Sequence, residues 1–201
     1  NRFGPTDEIG VFEMGELGLL PSRDPSALFL GQGEEDATGR AVFAAMEGSR
    51  PVLAEVQALM GPEAAGSPRR SIVGWEGSRL AMLLAVFEQR CDLRAGLRDV
   101  YLSVTGGYRI AEPAGDLAAA AALASSLLNR PTPPRSVFFG EIALSGAVRP
   151  VGRIEPRLRE AARLGFARAF VPPGGRVGAA EHIDGLTVHE VSKVRDLVDL
   201  L

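Results

Sequence analysis

The alternation of apolar and polar positions divides the chain into short strands and amphipathic helices. Val52, Ala54, Val56 and Ala58 alternate with Leu53, Glu55 and Gln57, and an apolar run at 41–46 precedes them across Glu47-Gly48-Ser49-Arg50. Two such runs joined by four residues predict a β-hairpin. Residues 60–68, with Gly61-Pro62 and Gly66-Ser67-Pro68, predict a loop, and residues 69–75 a further strand. Ser78 is the predicted N-cap of a helix over 79–89, whose Leu80, Leu83, Leu84 and Phe87 fall at helical spacing. A strand at 100–104 ends in Gly106-Gly107, and Pro113 opens a helix that carries Ala118 to Ala122 as one run, so another element can approach it closely. Strands at 136–140, 169–171 and 186–191 and helices at 154–164 and 192–200 complete the series. A strand, helix, strand unit of roughly 30 residues predicts a mixed α/β fold and no repeat array.

The first 39 residues read differently. Residues 8–14 alternate like a strand, Gly18-Leu19-Leu20-Pro21-Ser22 breaks it, and residues 24–30 suggest a short docking turn. Residues 31–39 are polar and glycine-rich, which places a boundary between 1–39 and a domain over 40–201.

Composition mainly removes possibilities. With 201 residues, 46% apolar and 23% charged, the chain can build one sizeable core, or one domain plus a piece of another. No apolar run reaches the length of about 18 residues that a membrane helix needs, and Asn1-Arg2-Phe3-Gly4 lacks a signal-peptide layout, so the expectation is a cytoplasmic protein with no membrane contact. A net charge of -3 gives no global attraction to nucleic acid, so any such contact needs a local basic face. The single cysteine, Cys91, excludes an intrachain disulfide and a multi-thiolate metal site. His182 and His189 stand seven apart with no partner pattern for zinc. Lys193 is the only lysine, and no Gly-Lys pair occurs, hence no P-loop.

Several motifs carry a resemblance. Asn1-Arg2-Phe3-Gly4, Thr6 to Met14, Glu47-Gly48-Ser49-Arg50-Pro51, Pro68-Arg69-Arg70, Arg79 to Val86 and Asp99-Val100-Tyr101 resemble the bacterial RadA (Sms) family of DNA repair and recombination proteins, over nearly the whole chain. The resemblance implies a Lon-protease-like α/β domain, of the type of the second domain of ribosomal protein S5, preceded at 1–39 by the end of a RecA-like ATPase core. It also implies that ATP, magnesium and zinc belong to family domains this chain lacks. The expected partners are single-stranded or branched DNA, further copies of the chain in a hexameric ring, and the recombinase RecA.

Lon-type peptidases pair a serine at a helix start with a lysine base, because a hydroxyl attacks only once a neutral amine takes its proton. Aligned on that pattern, Glu112-Pro113-Ala114-Gly115-Asp116 puts Ala114 at the serine position, and Gly152-Arg153-Ile154-Glu155 puts Glu155 at the lysine position. Ser125, Ser126 and Ser145 are poorly placed to substitute, Lys193 reads as a solvated cap, and no catalytic residue is expected. Glu112, Asp116 and Glu155 could form an acidic cluster, but carboxylates near helix starts more commonly serve the helix dipole. With peptidase chemistry removed, assembly and a DNA path remain. The candidate phosphate contacts are Arg50, Arg69, Arg70, Arg94, Arg98 and Arg109, with Arg69-Arg70 favoured as adjacent charges lacking a nearby acid. By the resemblance, Asn1, Arg2, Phe3 and Gly4 form a motif that senses nucleotide or DNA at a subunit boundary.

Overall fold

The computed structural model describes residues 12–15, 18–21, 36–175 and 183–201. Strands β1 (Phe12–Gly15) and β2 (Gly18–Pro21) pair antiparallel, so residues 18–21 continue a hairpin where the sequence suggested a break. Gly18, the first residue of β2, has φ 103°, a conformation that favours glycine. The motif at Asn1–Arg2–Phe3–Gly4 and the turn at 24–30 lie outside the described residues.

The main sheet is seven-stranded and mixed. Its first hairpin joins β3 (Arg40–Glu47) to β4 (Arg50–Glu63), in register from Arg40 opposite Gln57 to Glu47 opposite Arg50. The connection is therefore two residues, Gly48-Ser49, shorter than the predicted four, with Gly48 at φ 58° in the first turn position that favours glycine. At its other end β4 runs on through Gly61-Pro62, which the sequence marks as loop, by shifting register between Met60 and Glu63. The Met60 N–H donates to Ser126 Oγ at 2.9 Å.

Next come β5 (Arg70–Val73), α1 (Gly77–Cys91), β6 (Arg98–Val104), a 3-10 turn at Pro113–Gly115, α2 (Asp116–Leu128) and β7 (Ser136–Phe138). A small ribbon of β8 (Glu141–Ile142) and β9 (Val148–Arg149) leads to α3 (Ile154–Arg163), β10 (Arg168–Val171), β11 (Thr187–Glu190) and α4 (Val194–Asp199). The strand order is β11-β10-β7-β3-β4-β6-β5. Pairing is parallel from β11 to β3 and between β6 and β5, and antiparallel from β3 through β4 to β6.

Two helix starts differ from expectation. The N-cap of α1 is Glu76, so Ser78 lies inside the helix, with its hydroxyl donated to the Glu76 carboxylate. Pro113 opens the 3-10 turn ahead of α2.

Helix α2 is the centre of the core. Residues 117–124 are completely buried, on every face, which a helix tolerates only between other layers. Alanine is the best helix former, and its methyl lets the helix backbone settle close against β3 and β4, where Ala45, Ala54 and Ala58 share one buried face. The helix ends at Asn129, in the left-handed conformation. Ser125 Oγ accepts the Gly39 N–H at 2.9 Å and donates to the Arg130 carbonyl at 2.5 Å, so the serines at this end tie the helix to the sheet.

Asp116, wholly buried at the start of α2, accepts Arg79 Nε at 2.9 Å, a second Arg79 donor, and the Ile142 N–H at 3.1 Å. One carboxylate thus joins α1, α2 and β8. Burial pushes its pKa up, and Arg79 and the Ile142 N–H pull it back. Removing the charge strands the Arg79 guanidinium, so Asp116→Asn should lower unfolding free energy by about 3 kcal/mol in a urea titration. A reduction within error of zero contradicts this anchoring role. Cys91, at the buried end of α1, has its thiol pKa raised by burial. It should therefore react with a thiol reagent at pH 8 far more slowly in the folded chain than in urea, and equal rates in the two states contradict that placement.

Candidate functional site

The segment Glu112 to Asp116 enters α2 through a tight corner. Pro113 fixes the backbone for the 3-10 turn. Gly115 is required by space, since a Cβ there would stand 2.8 Å from Ile110 Cγ2 and 2.9 Å from the Trp75 ring. Ala114 is 3% exposed, its carbonyl accepts the Gly140 N–H at 2.8 Å, and the Gly140 carbonyl accepts the Leu117 N–H at 3.1 Å. The helix start is thereby joined to the segment that follows β7.

Arg157 occupies the space beside it. Its guanidinium is 3% exposed and lies over the rings of Phe43 and Phe139, at 5.6 and 5.8 Å from their centroids. It donates to both Glu112 carboxylate oxygens, at 3.2 and 2.6 Å, to the Gly152 carbonyl at 3.2 Å and to the Ala44 carbonyl. Glu112 also accepts the Met46 N–H at 2.8 Å. The pair therefore fastens α3 and the corner before α2 to β3. Glu155, near the start of α3, is exposed and accepts two bonds from Arg159, at 2.9 and 2.7 Å. Glu112, Asp116 and Glu155 thus have Arg157, Arg79 and Arg159 respectively, and they do not form a shared acidic cluster. No group of metal-binding side chains occurs among the described residues.

Arg157 is the residue that sequence reasoning passed over. It lies on the inward stripe of α3 with Leu158 and Ala161, and an arginine among apolar positions at helical spacing is the signal that could have found it. Lys193 caps α4, and its backbone bridges to Ala147, two residues from Ser145, an adjacency that strand and helix periodicity alone do not reveal. Both side chains are exposed. His189 is exposed on β11 and stacks on Phe170 with ring centroids 5.0 Å apart, and His182 lies outside the described residues.

The six candidate arginines divide into two groups. Arg69, Arg70, Arg94 and Arg98 meet where β5 and β6 begin, since Arg70 is level with Val100 and Arg98 with Glu63. Arg50 begins β4 at the other end of that strand, and Arg109 follows the far end of β6. The supposed lack of a nearby acid at Arg69-Arg70 is incorrect: Asp99 accepts the Arg69 N–H at 2.7 Å, and Glu88 accepts the Gly96 N–H at 2.7 Å. These acids come from α1 and β6, far enough along the chain that a local reading misses them. The Arg70 guanidinium is spent on the carbonyls of Arg69, Gly96 and Arg98, and Arg98 donates to those of Gly61 and Arg94, with Glu63 3.9 Å away. The side chains of Arg69 and Arg94 are exposed.

Comparison with known proteins places this arrangement in a family. The chain is 60% identical over 174 residues to the DNA repair protein RadA of Brucella abortus, an alignment that covers 87% of the chain and 37% of that protein. It is 47% identical over 200 residues to RadA of Rickettsia conorii, covering 100% of the chain and 43% of the relative. The chain belongs to the RadA family. A Streptococcus pyogenes RadA is 48% identical over 178 residues, which cover 89% of the chain and 39% of that protein. The chain spans about two fifths of the length of these RadA relatives. No protein-family model matches it. Among the described residues, no helix is long and apolar enough to cross a membrane.

Exchanging Arg157 for leucine keeps the bulk between Phe43 and Phe139 but leaves Glu112 without its cation, at an expected cost of about 3 to 5 kcal/mol. Thermal or urea unfolding of Arg157→Leu measures it, and unchanged stability would contradict the fastening role.

Proposed function

We propose that this chain is a non-catalytic, Lon-protease-like domain of a RadA-type DNA repair protein, which assembles with its own copies and contacts DNA. The relatives' name supplies the DNA repair setting. The observation that carries the DNA contact is the gathering of Arg69, Arg70, Arg94 and Arg98 at one end of the sheet, with Arg70 held by carbonyls in place of carboxylates. Carbonyls orient a guanidinium without cancelling its charge, so Arg70 supplies potential while the exposed Arg69 and Arg94 can reach phosphate oxygens. Such contacts read no bases and suit single-stranded or branched DNA.

The non-catalytic part of the reading rests on Ala114 and Glu155. A methyl cannot attack a carbonyl carbon, and an arginine-paired carboxylate cannot replace an amine base. On this reading the ATP, magnesium and zinc chemistry, and any exchange with a recombinase, reside in parts of RadA proteins outside this chain. A second reading, a scaffold that assembles without touching DNA, draws on Asp99 and Glu88, which offset part of the positive charge at the same end.

Charge reversal distinguishes the two. Arg69→Glu with Arg94→Glu, which leaves the braced Arg70 in place, should weaken single-stranded DNA binding and flatten its salt dependence, by roughly 0.7 in log-log slope for each phosphate no longer neutralised. Arg50→Glu with Arg109→Glu, at the other end, should change neither. Equal effects from the two pairs, or none from the first, reject this DNA surface. A serine-directed fluorophosphonate should label nothing, and stoichiometric labelling would overturn the non-catalytic reading.

A further inference from the structure

One face of the sheet is open where β4, β6 and β5 lie side by side. Their register sets Leu59, Tyr101 and Ser71 in one row and Gln57, Ser103 and Val73 in the next. The opposite face, bearing Val56, Ala58, Val100, Leu102 and Val104, is buried in the core. The open face forms a groove of about 190 Å³, lined by those six residues with Ala58 and Leu102. A small-molecule pocket is larger, roughly 300 to 1,000 Å³, so the groove suits a few side chains of a peptide. Of the six large apolar side chains exposed among the described residues, Leu59, Val73 and Tyr101 lie on this face.

The chain enters the main sheet at the margin of this groove. The Gly39 carbonyl accepts the Ala58 N–H at 2.7 Å, and Arg40 is level with Gln57. Ala58 and Gln57 both belong to the lining. Between Pro21, the last residue of β2, and Asp36 the chain lies outside the described residues. That stretch holds Ala27-Leu28-Phe29-Leu30, the run whose pattern suggests a docking turn, within nine uncharged residues at 25–33 that Asp24 and Glu34 bracket. Leu30 precedes Gly39 by nine residues, which span about 30 Å when extended, and neighbouring strands lie about 5 Å apart. The apolar run can therefore reach every strand of the groove in its own molecule.

Tether and chemistry together select this occupant. A segment joined to the groove's margin by a short linker meets it at an effective concentration of about millimolar, which a separate partner would have to match in solution. The lining is uncharged, while Arg69 and Asp99 just beyond it carry one charge of each sign. An uncharged run can cover Leu59, Val73 and Tyr101 without burying either of those charges or its own Asp24 and Glu34. A phosphate backbone would instead lie against an uncharged apolar lining and gain little.

We infer that residues 27–30 dock on the Leu59–Val73–Tyr101 face of the same molecule. The contact goes beyond the DNA and assembly readings and depends on neither. It straps the segment after β2 to the main sheet, and so limits how far the β1–β2 hairpin can swing away from it.

Disulfide trapping in the full chain tests the strap. Ala27→Cys with Ser71→Cys puts one thiol in the run and one at an exposed position of the groove. Oxidised with copper phenanthroline, this pair should form an intrachain bond, read from the mobility of the unreduced monomer. It should form faster than in Ala27→Cys with Thr187→Cys, whose second thiol lies on β11 at the opposite edge of the sheet. Adding Leu28→Ser and Phe29→Ser to the first pair should lose that advantage, because the tether remains and the apolar contact does not. Thermal melting verifies that each variant is folded, and the buried Cys91 is common to all. Equal rates for the two pairs, or an advantage that survives the serine exchanges, overturns the docking. A bond formed only between chains also overturns it and assigns the run to the groove of a second copy.

Discussion

Close packing of an alanine helix against an alanine-lined sheet sets the rest of the geometry. Because α2 is buried on all sides, every neighbouring element is positioned by contact with it, and larger side chains at 118–122 would push the layers apart. The same closeness leaves no room at the helix start, where Gly115 fits under Trp75 and Ala114 is sealed against Gly140.

Charge is used inside this fold mainly as a fastener. Asp116 with Arg79 and Glu112 with Arg157 each join elements distant in sequence, and in each pair one partner is almost completely buried. Each of those buried groups has several polar partners, and Arg157 also rests on two aromatic faces, so the cost of dehydrating them is met locally. The carboxylates that a sequence reader might assemble into an acid-base site are thereby committed to structure. Arg69 and Arg94, which remain exposed, lie at the sheet end where β5 and β6 begin, away from that corner.

Most of the element order was legible because local signals were strong. An apolar run marked β3, alternation marked β4, Gly106-Gly107 marked the end of β6, and the alanine run marked α2. Gly61-Pro62 misled, because a register shift absorbs it and Ser126, 66 residues away, supplies the missing acceptor for Met60. Gly18 misled in the same way, since a glycine can also begin a strand, as it does in β2. At the site, the residue types at Ala114 and Glu155 were readable from the sequence alone. The partners of Glu112, Asp116 and Arg69 were not, because each comes from an element brought close only by the sheet order.

The most direct test of this account is fluorescence anisotropy of labelled single-stranded DNA titrated with the chain, without nucleotide, at low and at moderate salt. Saturable binding that weakens steeply as salt rises is the predicted result, since the proposed contact runs through arginine and phosphate. A folded chain that leaves the anisotropy unchanged at the lowest salt would contradict the account and leave a scaffold with no DNA surface of its own.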